Sequence, residues 1–520
     1  MKRNWKRICT MLLAGALILS VSACGSTDTG SSAGSGSSGS QASESAVSEG
    51  ETSEVSKDEG NGEIAHLKMW SFGYTSTSDD LAAVSEAVSE ITRDKIGVEV
   101  EIVRESDPEK LNLAMNSGEQ WDLVNFHDFS GGLSTLVNNG MAQPIDDLVA
   151  EYGQDAVAAV GEEMLNAGKV NGQLYSVPSV AVWANSYGMA ISNTILEELD
   201  IDTSTLKTWD DIHEALLQMK EAHPDMYPVV PTWSGGGMQK TFAFDNLGTG
   251  FWDALGILED SHEDSTTVVN MYETDSYREF VEMMYQWNQE GLIMPDATTT
   301  TQSTGDLVDV VGYAAFENFT PQKKQELANG AYWKDKPGTA VDVIAPFTVS
   351  TAGGDSYFIP TVSEHPEKAM QLWNLMYVDK DLANILVYGV EGTHFNYIDD
   401  SKEVVKTVDG STYDVLGWAW PNESIAAVRE GIDTDIWDQN RAFMDSAAIS
   451  PALGFKFDTS MVMNEITACN NVIAKYDTGL RWGELNPDEA LSQFNEELYN
   501  AGLQTIIDEK QAQLDEFLGK

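Results

Sequence analysis

From about Ala65 to Lys520 the chain alternates short β-like runs with amphipathic helical stretches, and this alternation constrains the fold more than any other feature. His66-Leu-Lys-Met-Trp70 reads as a strand. Val98, Val100 and Ile102 alternate with Glu99, Glu101 and Val103, which predicts a second strand with one face buried. Asp122-Leu-Val-Asn-Phe126 predicts a third. Helical signals lie between and after them. Thr208-Trp-Asp-Asp211 has the form of a capping box, followed by Ile212, Ala215, Leu216 and Met219 on one face. Asp275 is placed to cap a helix carrying Phe280, Val281 and Met284, which Gly291 ends. Pro366 suits the first turn of a helix with Ala369, Leu372, Trp373 and Met376. Strands interleaved with helices predict α/β domains with largely parallel sheets. The body is long enough for two domains with cores of their own. There is no internal repeat.

The first sixty residues are of another kind. Lys2, Arg3, Lys6 and Arg7 precede an apolar run from Met11 to Leu19. A run of roughly ten residues is half of what a membrane-spanning helix needs, so it reads as a signal peptide. Val21-Ser22-Ala23-Cys24-Gly25 then places small residues before a cysteine, which resembles the lipobox of acylated exported proteins. Cys24 is the expected lipidation site, and the expected location is the outer face of a bacterial membrane. Residues 25–62 carry no aromatic residue and consist mostly of Ser, Gly, Glu, Thr and Ala. Such a segment buries too little surface to offset its ordering entropy and is expected to be a flexible linker, holding the body roughly 35 Å from the anchor. Its Gly34-Ser-Gly36-Ser-Ser-Gly39 and Gly30-Ser-Ser32-Ala-Gly34 match a dinucleotide fingerprint and a nucleophile elbow. Neither follows a predicted strand, so both are discarded.

Composition narrows the function. The chain has 30 basic and 83 acidic residues, and without the four signal-peptide cations it carries 26 against 83, a net of −57. That field repels nucleic acid and anionic lipid. Once Cys9 has left with the signal peptide and Cys24 is acylated, Cys469 is the remaining thiol, so no internal disulfide is expected. Val462, Ile466, Cys469 and Ile473 form an apolar helical stripe, which makes Cys469 a core residue. No Walker-type loop, no His-Glu-x-x-His site and no calcium loop is present, and the seven histidines do not cluster. No metal or cofactor is expected. Carboxylate pairs carry no information about a glycosidase when one residue in six is acidic.

Aromatic residues at predicted strand ends and in connectors are the distinctive feature. Trp70, Phe72 and Tyr74 end the first strand, and Phe126, Asp128 and Phe129 end the third. Trp183 and Asn185 lie in an apolar connector, and Trp233 precedes Gly235-Gly-Gly237. Trp418 and Trp420 follow an expected hairpin turned at Asp409-Gly410. Open α/β sheets bind ligands beyond the carboxyl ends of their strands. An aromatic ring can lie on the C–H face of a sugar while Asp, Asn and Glu accept from its hydroxyls. Each such ring can equally be packed in a core, and for Trp209, Trp287 and Trp373, on predicted helices, core packing is the expectation.

Several stretches carry a family resemblance. They are Met115–Leu123, Gly140–Leu148, Val170–Pro178 and Lys207–Ile212. Further on, Tyr388–Phe395, Ser450–Asp458, Asn495–Gly502 and Glu509–Asp515 match a LipO-type C-terminal region. In this order and spacing the chain resembles the extracellular solute-binding proteins of ABC importers, family 1, the group that includes maltose-binding protein. The resemblance implies a two-lobed, type II periplasmic-binding-protein-like α/β fold with a ligand cleft between the lobes, closing by a hinge. It implies no enzyme activity, a membrane permease as partner and a monomer. By analogy the signal peptide is 1–23 and the lipidated linker 24–62. The first lobe spans 63–185 and returns over 351–395, and the second spans 186–350 and 396–520. Crossings fall near Ala181–Asn185, Ser350–Asp355 and Gly389–Phe395, with Gly353 and Gly354 as hinge residues. Glu317, Asn318 and Asp355 join the candidate ligand residues on this ground. Trp418 and Trp420 cannot be carried over and stand on their chemistry alone. An oligosaccharide is the expected ligand. Peptides or other polar solutes, a surface-anchored glycoside hydrolase, and an adhesin or sensor of the same fold remain open.

Overall fold

The computed structural model describes residues 64–72, 76–105, 108–126, 132–162, 164–232, 241–248, 254–353, 356–413 and 417–520. The signal peptide, Cys24 and the linker to residue 62 lie outside them, as do Tyr74, Asp128, Phe129, Trp233, Gly354 and Asp355.

The first strand, β1 (Ala65–Ser71), turns Leu67 and Met69 into one core and Trp70 into another on the opposite face. The helix Ser78–Ile96 follows it, started by a Thr77/Asp80 capping box and ended at Gly97, whose φ of 66° suits glycine. It leads to β2 (Val98–Arg104), parallel to β1 from Ala65↔Val98 to Ser71↔Arg104. β2 is a sheet edge. Its Val100 and Ile102 amides donate to the Ser89 and Ser85 hydroxyls of the helix at 2.9 and 3.0 Å, which closes that edge to another strand. On the other side β3 (Leu123–Phe126) also runs parallel to β1.

A hairpin of β4 (Lys169–Val170) and β5 (Gln173–Leu174) turns at Asn171-Gly172, both with positive φ, as a tight two-residue turn requires. The chain then enters a second sheet. β6 (Asn185–Ser192) lies between β7 (Ala314–Phe319) and β8 (Gly338–Phe347), antiparallel to both. The expectation of largely parallel sheets therefore holds for the first lobe and fails for the second. The helices between β6 and β8 do not act as crossovers joining parallel neighbours. They pack on the sheet face instead, with Ile212, Leu216, Phe280, Val281, Met284 and Trp287 in one core. The Thr208/Asp211 capping box is present on the helix Trp209–Ala222. The helix Asp275–Gln289 is capped by Thr274, one residue before the expected Asp275.

After β8 the chain returns to the first sheet as β9 (Ser356–Phe358), antiparallel to β3. The helices Pro366–Leu375 and Lys380–Tyr388 add Trp373 and Leu382, both 0% exposed, to the first core. The chain does not cross again at Gly389–Phe395. β10 (Phe395–Tyr397), β11 (Val404–Thr407) and β12 (Val428–Arg429) form a small sheet. Phe395, Val405, Tyr413, Trp420 and Ala426 belong to the first core, so residues 396–429 sit with the first lobe and not the second. The physical cause is aromatic packing: the Tyr388 and Phe395 rings are 5.8 Å apart, and the Tyr413 hydroxyl donates to the Leu386 carbonyl. The β10–β11 connection turns at Asp399–Lys402, where Lys402 has positive φ. Asp409-Gly410 follows β11 without making a hairpin.

The helices Met463–Arg481, Pro487–Ala501 and Leu503–Phe517 close the second core. Cys469 is buried there, with burial pushing its thiol up to about 11. Trp287 and Trp373 are core residues as expected. Trp209 is only half-buried, its ring against Phe316 and its Nε1 donating to the Thr241 carbonyl. No described helix is long and apolar enough to cross a membrane.

Candidate ligand site at the lobe crossings

Three chain segments join the two lobes. In the first, the Val177 and Pro178 carbonyls accept from the Tyr377 hydroxyl at 2.9 and 2.8 Å, and the Val180 amide donates to the Pro421 carbonyl at 2.7 Å. All of these partners belong to the first lobe. Three residues later the amides of Trp183 and Ala184 both donate to Met444 Sδ, at 3.2 and 3.1 Å, and β6 begins. Met444 lies on the helix Ile436–Ser446, which packs on β8 and the helix Pro321–Ala328. The second segment runs from β8 to β9. In the third, the Glu430 amide still donates to Val405 of the first lobe, whereas the Asp433 amide donates to Gln325 Oε1 of the second.

On the second-lobe side of these crossings sits a polar network. Asn185 and Asn318 stand on neighbouring strands, and the Asn318 amide donates to Asn185 Oδ1 at 2.7 Å. Asn318 Oδ1 accepts from Lys323 Nζ at 3.0 Å. Lys323 also pairs with Glu317 Oε2 at 2.7 Å, and the Tyr332 hydroxyl donates to Glu317 Oε1 at 3.2 Å. Glu317 is fully buried, and burial raises its pKa although Lys323 pulls it down. Glu317 is thus committed to an internal ion pair rather than offered to a ligand. Half-buried Asn185, Asn318 and Trp183 are the sequence candidates that the fold brings together here.

The other described candidates are core residues. Trp70 packs edge-to-face on Trp121 at 5.1 Å, and Phe126 on Phe358 at 6.1 Å. Trp420 stacks on Tyr357 at 6.5 Å, and Phe72 is 6% exposed. None presents a free ring face, because hydrophobic burial claims a large ring at a strand end whenever neighbours can cover it. Trp418 falls in the turn Gly417–Ala419; its side chain, with Tyr74, Asp128, Trp233 and Asp355, is outside the described residues.

Sequence reasoning missed Lys323, Tyr332, Met444 and Glu423. The carboxylate of Glu423 packs against Gly417, where an added Cβ would lie 1.8 Å from Oε1. Burial pushes this acid up to about 7, with Arg429 opposing and Glu326 of the second lobe reinforcing the shift. Asn125 was readable. It is a polar residue inside the apolar β3, buried, and its amide donates to the Ser356 and Ala419 carbonyls. Among the described residues no group of three or more His, Cys, Asp or Glu is arranged to hold a metal ion. A groove of about 790 Å³ lies along the edge of β2, between Ser85, Arg93, Glu101 and Gln120, and no crossing residue lines it.

Two α/β lobes joined by crossing segments define a periplasmic-binding-protein-like fold, the architecture of solute-binding proteins. Residues 74–382 match the family model of bacterial extracellular solute-binding proteins. The chain belongs to that family, and so is a binding protein of the cell exterior rather than an enzyme. Residues 451–519 match a second model, a domain of unknown function, DUF3502. A protein of Streptococcus pneumoniae named carbohydrate ABC transporter substrate-binding protein is 26% identical over 527 residues, covering 99% of each chain. The crystal structure of the N-glycan transport solute-binding protein NgtS from S. pneumoniae superposes with a TM-score of 0.76 at 25% identity, covering 88% of this chain and 99% of that one. NgtS in complex with Man5GlcNAc gives 0.66 at 25% identity, over 88% of this chain and 99% of that one. FusA of S. pneumoniae, in complex with kestose, shares the fold, with a TM-score of 0.59 at 16% identity over 88% and 100% of the two chains.

Proposed function

We propose that this chain is a lipid-anchored binding protein that captures an oligosaccharide between its lobes and delivers it to an ABC permease. The observation that carries the reading is a likeness along the whole body to an N-glycan transport protein, at a TM-score of 0.76 and covering 99% of that chain. Cys24 is the acylated residue, and the chain acts as a monomer. The half-buried Trp183 ring lies against a sugar face, and Asn185 and Asn318 exchange hydrogen bonds with hydroxyls. Asp128, Trp233, Asp355, Tyr74 and Trp418 complete the site. Trp70, Phe72, Phe126 and Trp420 are buried and do not face the ligand. The acidic surface keeps the protein soluble at the envelope and favours a neutral ligand over a polyanion.

Tryptophan fluorescence of residues 63–520, titrated with Man5GlcNAc and with a peptide mixture, tests this. A saturable change with the oligosaccharide alone supports the reading. Saturation with peptides alone overturns the ligand class.

A further inference from the structure

The second crossing is held by Asp245, a residue the sequence reading did not single out. Asp245 is 0% exposed. Its Oδ1 accepts from the Ser350 hydroxyl at 2.8 Å and the Leu247 amide at 3.0 Å. Its Oδ2 accepts from the Ser350 amide at 2.6 Å and the Ser450 hydroxyl at 2.5 Å. Ser350 is on the crossing, whereas Ser450 leads into the C-terminal helices, so one carboxylate ties both to the second lobe. The two segments are also bonded to each other. The Thr348 amide donates to the Ala448 carbonyl, the Ser450 amide to Thr348 Oγ1, and the Gly454 amide to the Ser350 carbonyl, at 2.9, 3.0 and 2.8 Å.

The same C-terminal region grips the Asp245 segment from behind. Lys510 is 0% exposed, and its Nζ donates to the Asn246 and Gly256 carbonyls at 3.1 and 3.0 Å. Burying an ammonium is costly unless hydrogen bonds compensate, so this contact fixes the backbone on both sides. Beyond Ser350 the attachment changes lobes. Gly353 has a φ of 87°, and a Cβ there would lie 3.0 Å from Ala167 Cβ of the first lobe. The hydroxyl of Ser356 donates to the Val177 carbonyl of the first crossing.

We propose that the C-terminal unit, residues 451–519, together with the segment 448–450 that leads into it, acts as a brace on the second crossing. With Asp245 as the positioning residue, it holds residues 347–350 rigidly to the second lobe and confines the bend between the lobes to the residues after Ser350. This gives the domain of unknown function a task, and it rests on the reading that the lobes close on a ligand. The brace sets how far and how firmly they close.

Backbone deuterium exchange on the ligand-free protein, residues 63–520, tests the brace without any ligand. Ser450→Ala and Asp245→Asn are expected to speed exchange of the Thr348, Ser350 and Gly454 amides at least tenfold and to leave β1 unchanged. Ser450→Thr, which keeps the hydroxyl, restores the wild-type rates. Wild-type exchange at all three amides in Ser450→Ala overturns the proposal, and so does an equal rise in β1, which marks general destabilisation. Should Asp245→Asn fail to fold, Ser450→Ala still decides. With Man5GlcNAc as probe, Ser450→Ala is expected to dissociate about fivefold faster with association within twofold. An unchanged dissociation rate overturns the proposal. If the wild type does not bind this probe, exchange alone judges the brace.

Discussion

The side-chain amide of Asn318 donates to Asn185 Oδ1 at 2.7 Å, across the β7–β6 pair and beside the point where the first crossing enters the second lobe. Each asparagine orients the other, and each keeps hydrogen-bonding capacity for a hydroxyl. Asn318→Ala removes one contact and frees Asn185 to turn. It is expected to weaken oligosaccharide binding about fivefold, near 1 kcal/mol. Isothermal titration measures this. Unchanged affinity in both Asn185→Ala and Asn318→Ala would remove this pair from the site.

Trp183 is half-buried, and the bonds that place it come from its backbone to Met444. Trp183→Ala therefore keeps the crossing while removing the ring. Affinity for an oligosaccharide is expected to fall by about 1 kcal/mol or more, with a melting temperature within a few degrees of wild type. A loss of stability with intact affinity would make Trp183 a packing residue.

Lys323 neutralises a fully buried Glu317. Removing one partner of a buried pair leaves an uncompensated charge, so Lys323→Met is expected to cost about 3 kcal/mol in urea unfolding. Burial already raises the Glu317 pKa, and without Lys323 the acid takes up a proton more readily. The deficit should therefore narrow as pH is lowered. A cost below about 0.5 kcal/mol, as for a surface pair, would contradict this.

Glu423 is a second acid whose pKa burial raises, and it gives a pH signature of its own. Its folded pKa, about 7, lies above its ordinary 4.5, so the folded state binds a proton more tightly than the unfolded chain. Stability from this group is present below the ordinary value and is lost as pH rises through about 7. Glu423→Gln removes the titration. At pH 8 the variant should exceed wild type by roughly 1–3 kcal/mol, and below about pH 5 the two should converge. Equal stability at pH 8 would show that the carboxylate is solvated.

Gly188 sits at a β-bulge in β6, where an added Cβ would stand 1.9 Å from the Val341 carbonyl. Gly188→Ala must push β8 away, and is expected to cost about 3 kcal/mol or more. A well-folded variant with wild-type stability would mean that the strands separate freely.

The first lobe was legible because its edge strand β2 carries the alternation of a strand buried on one face, between helical stretches. Val98, Val100 and Ile102 are buried as that pattern requires. The antiparallel second sheet was hidden, because β6 is buried along nearly its whole length and its Asn-Ser-Tyr-Gly-Met-Ala-Ile-Ser sequence shows no apolar/polar alternation. Periodicity marks burial there and says nothing of strand direction. The late third crossing was hidden for a related reason. Tyr413 and Trp420 lie in irregular chain with no period, and only the three-dimensional contacts with Arg104, Leu386 and Tyr357 assign them to the first core. Strand-end aromatics read as ligand residues in sequence, but Trp70 and Phe126 look inward. Asn185 was read from the apolar connector and Asn318 from the family resemblance, and the fold pairs their side chains, while Lys323, which bonds Asn318, sits on a helix that no local motif distinguishes.

Thermal unfolding of residues 63–520 against oligosaccharides, peptides and amino acids reads out whether this chain binds an oligosaccharide. A ligand at a hundred times its dissociation constant adds about 2.7 kcal/mol, which moves the midpoint by several degrees. Such a shift is expected with an oligosaccharide that is recovered chemically unchanged. A shift with peptides alone, or a sugar that is consumed, would contradict it.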